Sequence, residues 1–245
     1  MIVPASEIWV YLSASPLLWL ALTLVAYLAA QHLQHRLGDH PAANPVLLAV
    51  MALVMVLAAT GTPYSRYFDG AQFVHFLLGP ATVALAIPLY GQIERLRALG
   101  WPLLGALVAG SLTAALSAWA LAGLLGASPP TMLSLAPKSV TTPIAMGIAE
   151  RIGGLPSLTA VLVILTGILG AICASNLLGR LGLKDDSSVG LALGVASHGL
   201  GTARAFQISE QCGAFAALAM GLNGLLTALF LPALLPWISR LLAHP

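Results

Sequence analysis

Three stretches of this chain, Trp101–Leu125, Pro156–Leu178 and Gly213–Ile238, run without a single charged residue. Each is long enough to cross the hydrocarbon core of a bilayer, which takes about 20 mostly apolar residues. A soluble helix confines its apolar side chains to one stripe, and these tracts have them on every face. Further apolar tracts at Pro16–Leu33, Pro45–Gly61 and Phe73–Tyr90 bring the expected full spans to six. The composition points the same way, with 59% hydrophobic and 7% charged residues, against about 25% charged in soluble domains. Because the tracts are continuous rather than alternating in polarity, the predicted fold is an all-α, polytopic membrane protein and not a barrel. No Lys or Arg precedes Arg36, which argues for a retained first span over a cleaved leader.

The sparse charges exclude several function classes. The net charge is +2 and no long run of like charges occurs, so neither a nucleic-acid surface nor an anionic-lipid patch is expected. Cys173 and Cys212 lack a metal or redox spacing and read as packed thiols. No phosphate-binding glycine loop, HExxH motif or nucleophile context is present, so catalysis is disfavoured and no cofactor or metal is expected. Arg36, Arg95, Arg97, Arg180 and Lys184 follow alternate spans if the N-terminus is outside, the arrangement favoured by the positive-inside tendency.

Two other apolar segments, Met132–Ile148 and Val189–Ile208, carry Pro, Gly, Ser, Thr and charged residues in their middles. They read as broken or re-entrant helices. At a fixed offset of 60 residues, Thr142, Ala145, Ile148, Glu150 and Gly153 align with Thr202, Ala205, Ile208, Glu210 and Gly213. Leu158, Leu162, Leu165 and Leu169 then fall on Leu218, Leu222, Leu225 and Leu229. The matched Thr and Glu carry the weight, since such residues are scarce here. The chain is thus expected to be one domain, 1–245, holding two inverted repeat units at about 131–178 and 189–238, the pattern of secondary transporters.

The interruptions suggest a site for an anion. In "SVTTPIAMGIAE" Thr142 is expected to cap a short helix that opens on Pro143, with Pro137 and Lys138 about one turn upstream. In "ASHGLGTARAFQISE" Thr202 takes the capping place, Gly199 and Gly201 loosen the backbone, and His198 stands at the position of Lys138. Arg204, in the first turn of that half-helix, opposes the macrodipole unless an anion sits nearby. Ser139, Thr141, Thr142, Ser197 and Thr202 add hydroxyls, so the set fits a small monocarboxylate. Bland readings stand beside these. Lys138 can snorkel to a membrane surface, His198 can be a hydrogen-bonded packing residue, and Glu150 and Glu210 can be polar helix ends rather than ion- or proton-coupling groups. Asn223 is either helix-to-helix glue or a substrate contact. His75 and Thr82, in the irregular "FVHFLLGPATVALAIPLY", are candidates for lining a cavity or for packing. The small-residue patterns Gly105 to Gly110 and Gly123 to Gly126 suit helix association, hence a homo-oligomer.

"LAPKSVTTPIAMGIAERIGGLPSLTAV", "ASHGLGTARA", "GAFAALAMGLNGLLTALFLP" and "FLLGPATVALAIPLY" occur in that family's order, and the chain resembles the LrgB/CidB family. The resemblance implies a bacterial cytoplasmic-membrane protein of antiholin-like or holin-like type, an effector of murein hydrolase activity. It also implies a small LrgA/CidA-type membrane partner and an association with transport of pyruvate, glycolate or glycerate, as in the plastid glycolate/glycerate transporter. The motif residues it implicates are Lys138, Ser139, Thr141, Thr142 and Pro143, then Ser197, His198, Gly201, Thr202 and Arg204, with Gly199 standing where alanine is expected.

Overall fold

The computed structural model describes residues 14–77, 80 and 83–243. Residues 1–13, Gly79 and Thr82 lie outside the described residues, as does any side-chain account of His75. The chain divides into two compact units, Met1–Ala84 and Leu85–Pro245. The first holds α1 (Pro16–Arg36), α2 (Pro45–Thr60) and α3 (Tyr64–Phe76). Asn44 caps α2 by accepting from the amides of Val46 and Leu47, and Gly61 ends it at a left-handed φ of 62°. Gly70 brings α3 against the backbone of Pro16 and Leu20 and the Cβ of Trp19, whose ring meets Tyr67 edge-on at 6.1 Å.

The second unit holds α4 (Ala86–Gly91), α5 (Ile93–Leu124), α6 (Pro129–Leu135), α7 (Thr142–Ile152), α8 (Pro156–Arg180), α9 (Asp186–Ile208) and α10 (Glu210–Ala243). Gly100, at φ 27° and ψ −112°, breaks α5 just before Pro102, so its apolar portion begins where the tract predicts. Four described helices are long and apolar enough to cross a membrane: Pro16–Arg36, Arg97–Leu124, Pro156–Ala174 and Glu210–Leu235. Six were expected. Pro45–Thr60 has only 16 residues, and the tract Phe73–Tyr90 is divided between α3 and α4 rather than forming one helix.

Burial in this unit does not follow hydropathy. On α8, Val161, Ile164, Leu165 and Leu169 are exposed while Val163, Gly167, Ile168 and Ala171 face inward. Hydrocarbon chains solvate leucine as well as another helix does, so close backbone approach through small residues holds membrane helices together. The same logic consumes two glycines expected to serve oligomer contacts, because Gly110 abuts Val195 and Gly123 abuts Met132 within the chain. Cys173 is exposed rather than packed, and Cys212 is buried.

Both interrupted segments fold back on themselves. A straight helix of 23 residues separates its ends by about 34 Å. In α9 the Ser209 hydroxyl instead donates to the Asp186 carboxylate at 2.6 Å, and the Gln211 amide donates to Ser187 Oγ at 2.8 Å, so its end lies beside its start. The turning point is Ser197–His198, where the backbone leaves helical angles. The first hairpin closes likewise: Leu155 N–H donates to Ser134 Oγ at 2.7 Å after the chain has run through α7, and Thr159 donates to the Ser134 carbonyl at 3.1 Å. Gly190 and Gly194 let the first half of α9 lie against the Cys212 and Ala216 carbonyls of α10. A methyl group at Gly194 also falls 2.8 Å from Ala219 Cβ. Gly194→Ala is therefore expected to cost about 1–3 kcal/mol through overpacking. Gly199→Ala, which meets nothing closer than Met220 Sδ at 3.9 Å, is expected to leave stability unchanged or slightly raised. Melting of the two purified variants in detergent checks the contrast.

Candidate functional site

The two hairpin tips meet at one side chain. Asn223, on α10 and 1% exposed, donates one amide hydrogen to the Ser139 carbonyl and the other to the Val195 carbonyl, each at 3.2 Å. Ser139 lies in the turn between α6 and α7, and Val195 lies just before the bend of α9. Its Oδ1 accepts from Thr227 Oγ1 at 3.4 Å, and Thr227 in turn meets Ser111 of α5 at 3.1 Å. In this structure Asn223 is therefore glue between the interruptions, with both donors committed to backbone.

The second tip is built on an unusual backbone. His198 has φ 41° and ψ −132°, a region normally left to glycine, although Gly199 stands next to it. Holding a side chain there costs on the order of 1–3 kcal/mol, which the surroundings must offset. They do so through the ring, whose Nε2 lies 3.0 Å from the Val163 carbonyl of α8 and must donate to it. α8 makes room with glycine. A Cβ on Gly167 falls 2.7 Å from His198 Cε1, and one on Gly170 collides with Ser197 Oγ. Ser197 is fully buried and its hydroxyl has no hydrogen-bond partner among the described residues.

The expected capping positions are revised. Thr141, not Thr142, is the N-cap of α7, with φ −62° and ψ 148°, and its side chain makes no cap hydrogen bond. The first-turn amides thus receive nothing from Thr141, while Thr142 and Pro143 occupy the first two helical positions. Thr202 does not cap either. It lies one turn inside the second half of α9, where its hydroxyl donates to the His198 carbonyl at 2.9 Å and touches Met220 Sδ at 3.8 Å. Gly199 and Gly201 are not the residues at positive φ. Gly201 serves close approach, since a Cβ there collides with the Leu193 carbonyl across the hairpin.

Lys138 projects from the first tip, half-buried, with a long 3.4 Å contact from Nζ to Ser139 Oγ and no acidic partner among the described residues. It lies within electrostatic reach of His198. Arg204 stands 200° around the helix from Thr202 by the α-helical repeat. It is half-buried, its Nη1 donates to Gln207 at 2.9 Å, and its Nε is buried with no hydrogen-bond partner among the described residues. Glu150 and Glu210 are exposed at helix ends, away from the buried tips. Pro137 is buried in the first turn. No cluster of metal-ligating side chains occurs among the described residues.

Two cavities lie within this unit. One of about 760 Å³ sits at the base of the second hairpin, lined by Asp185, Asp186, Ser187, Gln211 and Phe215 among others. An apolar one of about 630 Å³ between α5 and α10 has Ser111 and Thr227 on its wall.

A family model described as LrgB-like matches residues 23–237. The chain belongs to the LrgB-like family. It is 36% identical over 220 residues to the uncharacterized protein YxaC of Bacillus subtilis, covering 90% of this chain and 95% of the relative. An antiholin-like protein LrgB of Bacillus mycoides is 32% identical over 196 residues, covering 80% of this chain and 85% of the relative. An uncharacterized protein of Haemophilus influenzae is 35% identical over 189 residues, 77% of this chain and 82% of the relative. No solved structure matches the chain. With four membrane-length helices, this LrgB-like chain is a multi-pass membrane protein.

Sequence reading missed Val163, Gly167 and Gly170. Their signal was the small-residue spacing on one face of α8, hidden because Gly and Ala are abundant throughout. Asn223→Ala is expected to destabilise the LrgB-like protein by about 1–3 kcal/mol per orphaned carbonyl. Asn223→Asp, which keeps the shape but loses both donors, is expected to do no better. Thermal unfolding in detergent measures both.

Proposed function

We propose that this LrgB-like protein is a secondary transporter or facilitator of small monocarboxylates of the pyruvate, glycolate and glycerate class, working by alternating access in the bacterial cytoplasmic membrane. The observation that carries this reading is Lys138: a half-buried cation without a carboxylate partner among the described residues, at the junction of two helical hairpins. A cation inside a membrane protein is costly unless paired, and a carboxylate supplies the missing charge. Beside it, α7 opens with a free-standing N-cap, so first-turn amides and the positive end of the helix add to the attraction. Ser139, Thr141, Thr142 and Thr202 provide hydroxyls for orientation, and Ser197 holds the bend.

The paired design supports the transporter reading. The second tip leans on α8 at Val163, and the first tip leans on α10 at Asn223, positions 60 residues apart. Within the two units a second pair of contacts keeps the same 60-residue correspondence: Ser134 touches Thr159, and Gly194 approaches Ala219. Each unit thus docks its tip on the long helix of the other, which suits a rocking motion of one repeat against its inverted partner.

A second reading is favoured by the name of the relatives. The antiholin-like proteins suggest a membrane regulator of murein hydrolase export and autolysis, acting as a homo-oligomer or with a small LrgA/CidA-type partner. That role needs no buried cation. Liposomes holding the purified protein are expected to take up labelled pyruvate or glycolate saturably, and Lys138→Ala and Thr202→Ala are expected to lower the rate at least tenfold, about 1.4 kcal/mol of barrier. Absence of saturable uptake, with leakage of a large dye that ignores both substitutions, supports the regulator instead.

A further inference from the structure

We propose that His198 takes up a proton when a small carboxylate binds beside Lys138, so that anion and proton enter the site together. This rests on the carboxylate reading of the same site. The backbone is the first ground. His198 occupies a glycine conformation with a glycine one residue away, so economy of folding does not account for a histidine there.

The ring's surroundings are the second. Nε2 is committed as a donor to the Val163 carbonyl, and Gly167 leaves the space the ring fills. With Nε2–H fixed, protonation falls on Nδ1, to which no hydrogen bond is made among the described residues. The proton therefore adds without breaking the contact that anchors the bend.

The charges around the ring are the third. Lys138 stands on the first tip, which Asn223 ties to the second through the Ser139 and Val195 carbonyls, and it lies within electrostatic reach of the ring. On its own helix the nearest charged residue is Arg204, engaged with Gln207. α8 presents Val163 and Gly167 to the ring, and on α10 the residue beside Gly199 and Thr202 is Met220; none of these titrates. The charge that reaches the imidazole is thus the Lys138 ammonium, with no carboxylate paired to either group among the described residues, and a second positive charge beside Lys138 is opposed. A bound carboxylate removes that opposition. The carboxylate arrives as an anion, the proton moves from water to the Nδ1 lone pair, and the site gains no net charge. By linkage, proton and anion must each strengthen the other's binding.

The test uses purified full-length protein in detergent, glycolate as the probe, and titration calorimetry in buffers of different ionisation enthalpy near neutral pH. The expected result is close to one proton taken up per glycolate, with affinity weakening toward about tenfold per unit of rising pH. His198→Gln keeps a side-chain donor for Val163, and is expected to bind glycolate without proton uptake and with a flat pH dependence. His198→Gly, which relieves the backbone, gives the same readout should the Gln variant fail to fold. Glycolate binding by the wild-type protein without proton uptake overturns the proposal and leaves the carboxylate reading standing, as does undiminished uptake in either folded variant. Absence of binding to glycolate and pyruvate overturns both.

Discussion

A single carboxamide holds the centre of this protein. Asn223 has two amide hydrogens and spends one on each interrupted segment, so the turn at Ser139 and the bend at Val195 share a tether on α10. Two carbonyls freed from helical pairing would otherwise stand buried and unsatisfied in a lipid-surrounded interior, where water is not at hand to replace the lost partner. No apolar side chain of similar size can do this. The interruptions can exist in the membrane because the loose carbonyl of each accepts from a neighbouring side chain, and everything that follows, including the exposed amides of α7 and the anchored ring of His198, depends on that arrangement.

The sequence showed more of the pattern than of the geometry. Uncharged tracts announced α8 and α10 and the later part of α5, because a span must be apolar along its whole length. The two interruptions were also legible, since polar residues in the middle of such a tract are few. Their shape was less so. Thr142–Pro143 looked like a cap and first position, yet the cap is Thr141, and a shift of one residue at a helix start lies below what propensity resolves. Gly199 and Gly201 looked like the flexible joint, but the joint is His198, because the ring's bond to Val163 outweighs the backbone preference that a local reading relies on.

Glu150 and Glu210, matched by the repeat, stand at exposed helix ends, the plainer of the two readings the sequence offered for them, and Arg204, drawn in by its place in a half-helix, is half-buried with Nη1 on Gln207. The segment Phe73–Tyr90 was read as one span because its mean polarity is low, although it holds two prolines and its described part divides between separate helices. Hydropathy measures solvent preference, and it carries no information on where a chain bends. The closure of α9 through Asp186 and Ser209 was invisible for the same reason, as it joins residues 23 positions apart by side chains that look like ordinary surface polarity.

The glycines of α8 have one more consequence. Packed helices usually interlock, with ridges of side chains on one lying in the grooves of the other, and relative motion must lift each ridge over the next. At Gly167 and Gly170 α8 instead offers notches, and the His198 ring and the Ser197 hydroxyl of the bend fill them. The bend is thereby keyed to α8 like a pin in a slot, its register along the helix set by two side chains as well as by the polar contact at Val163.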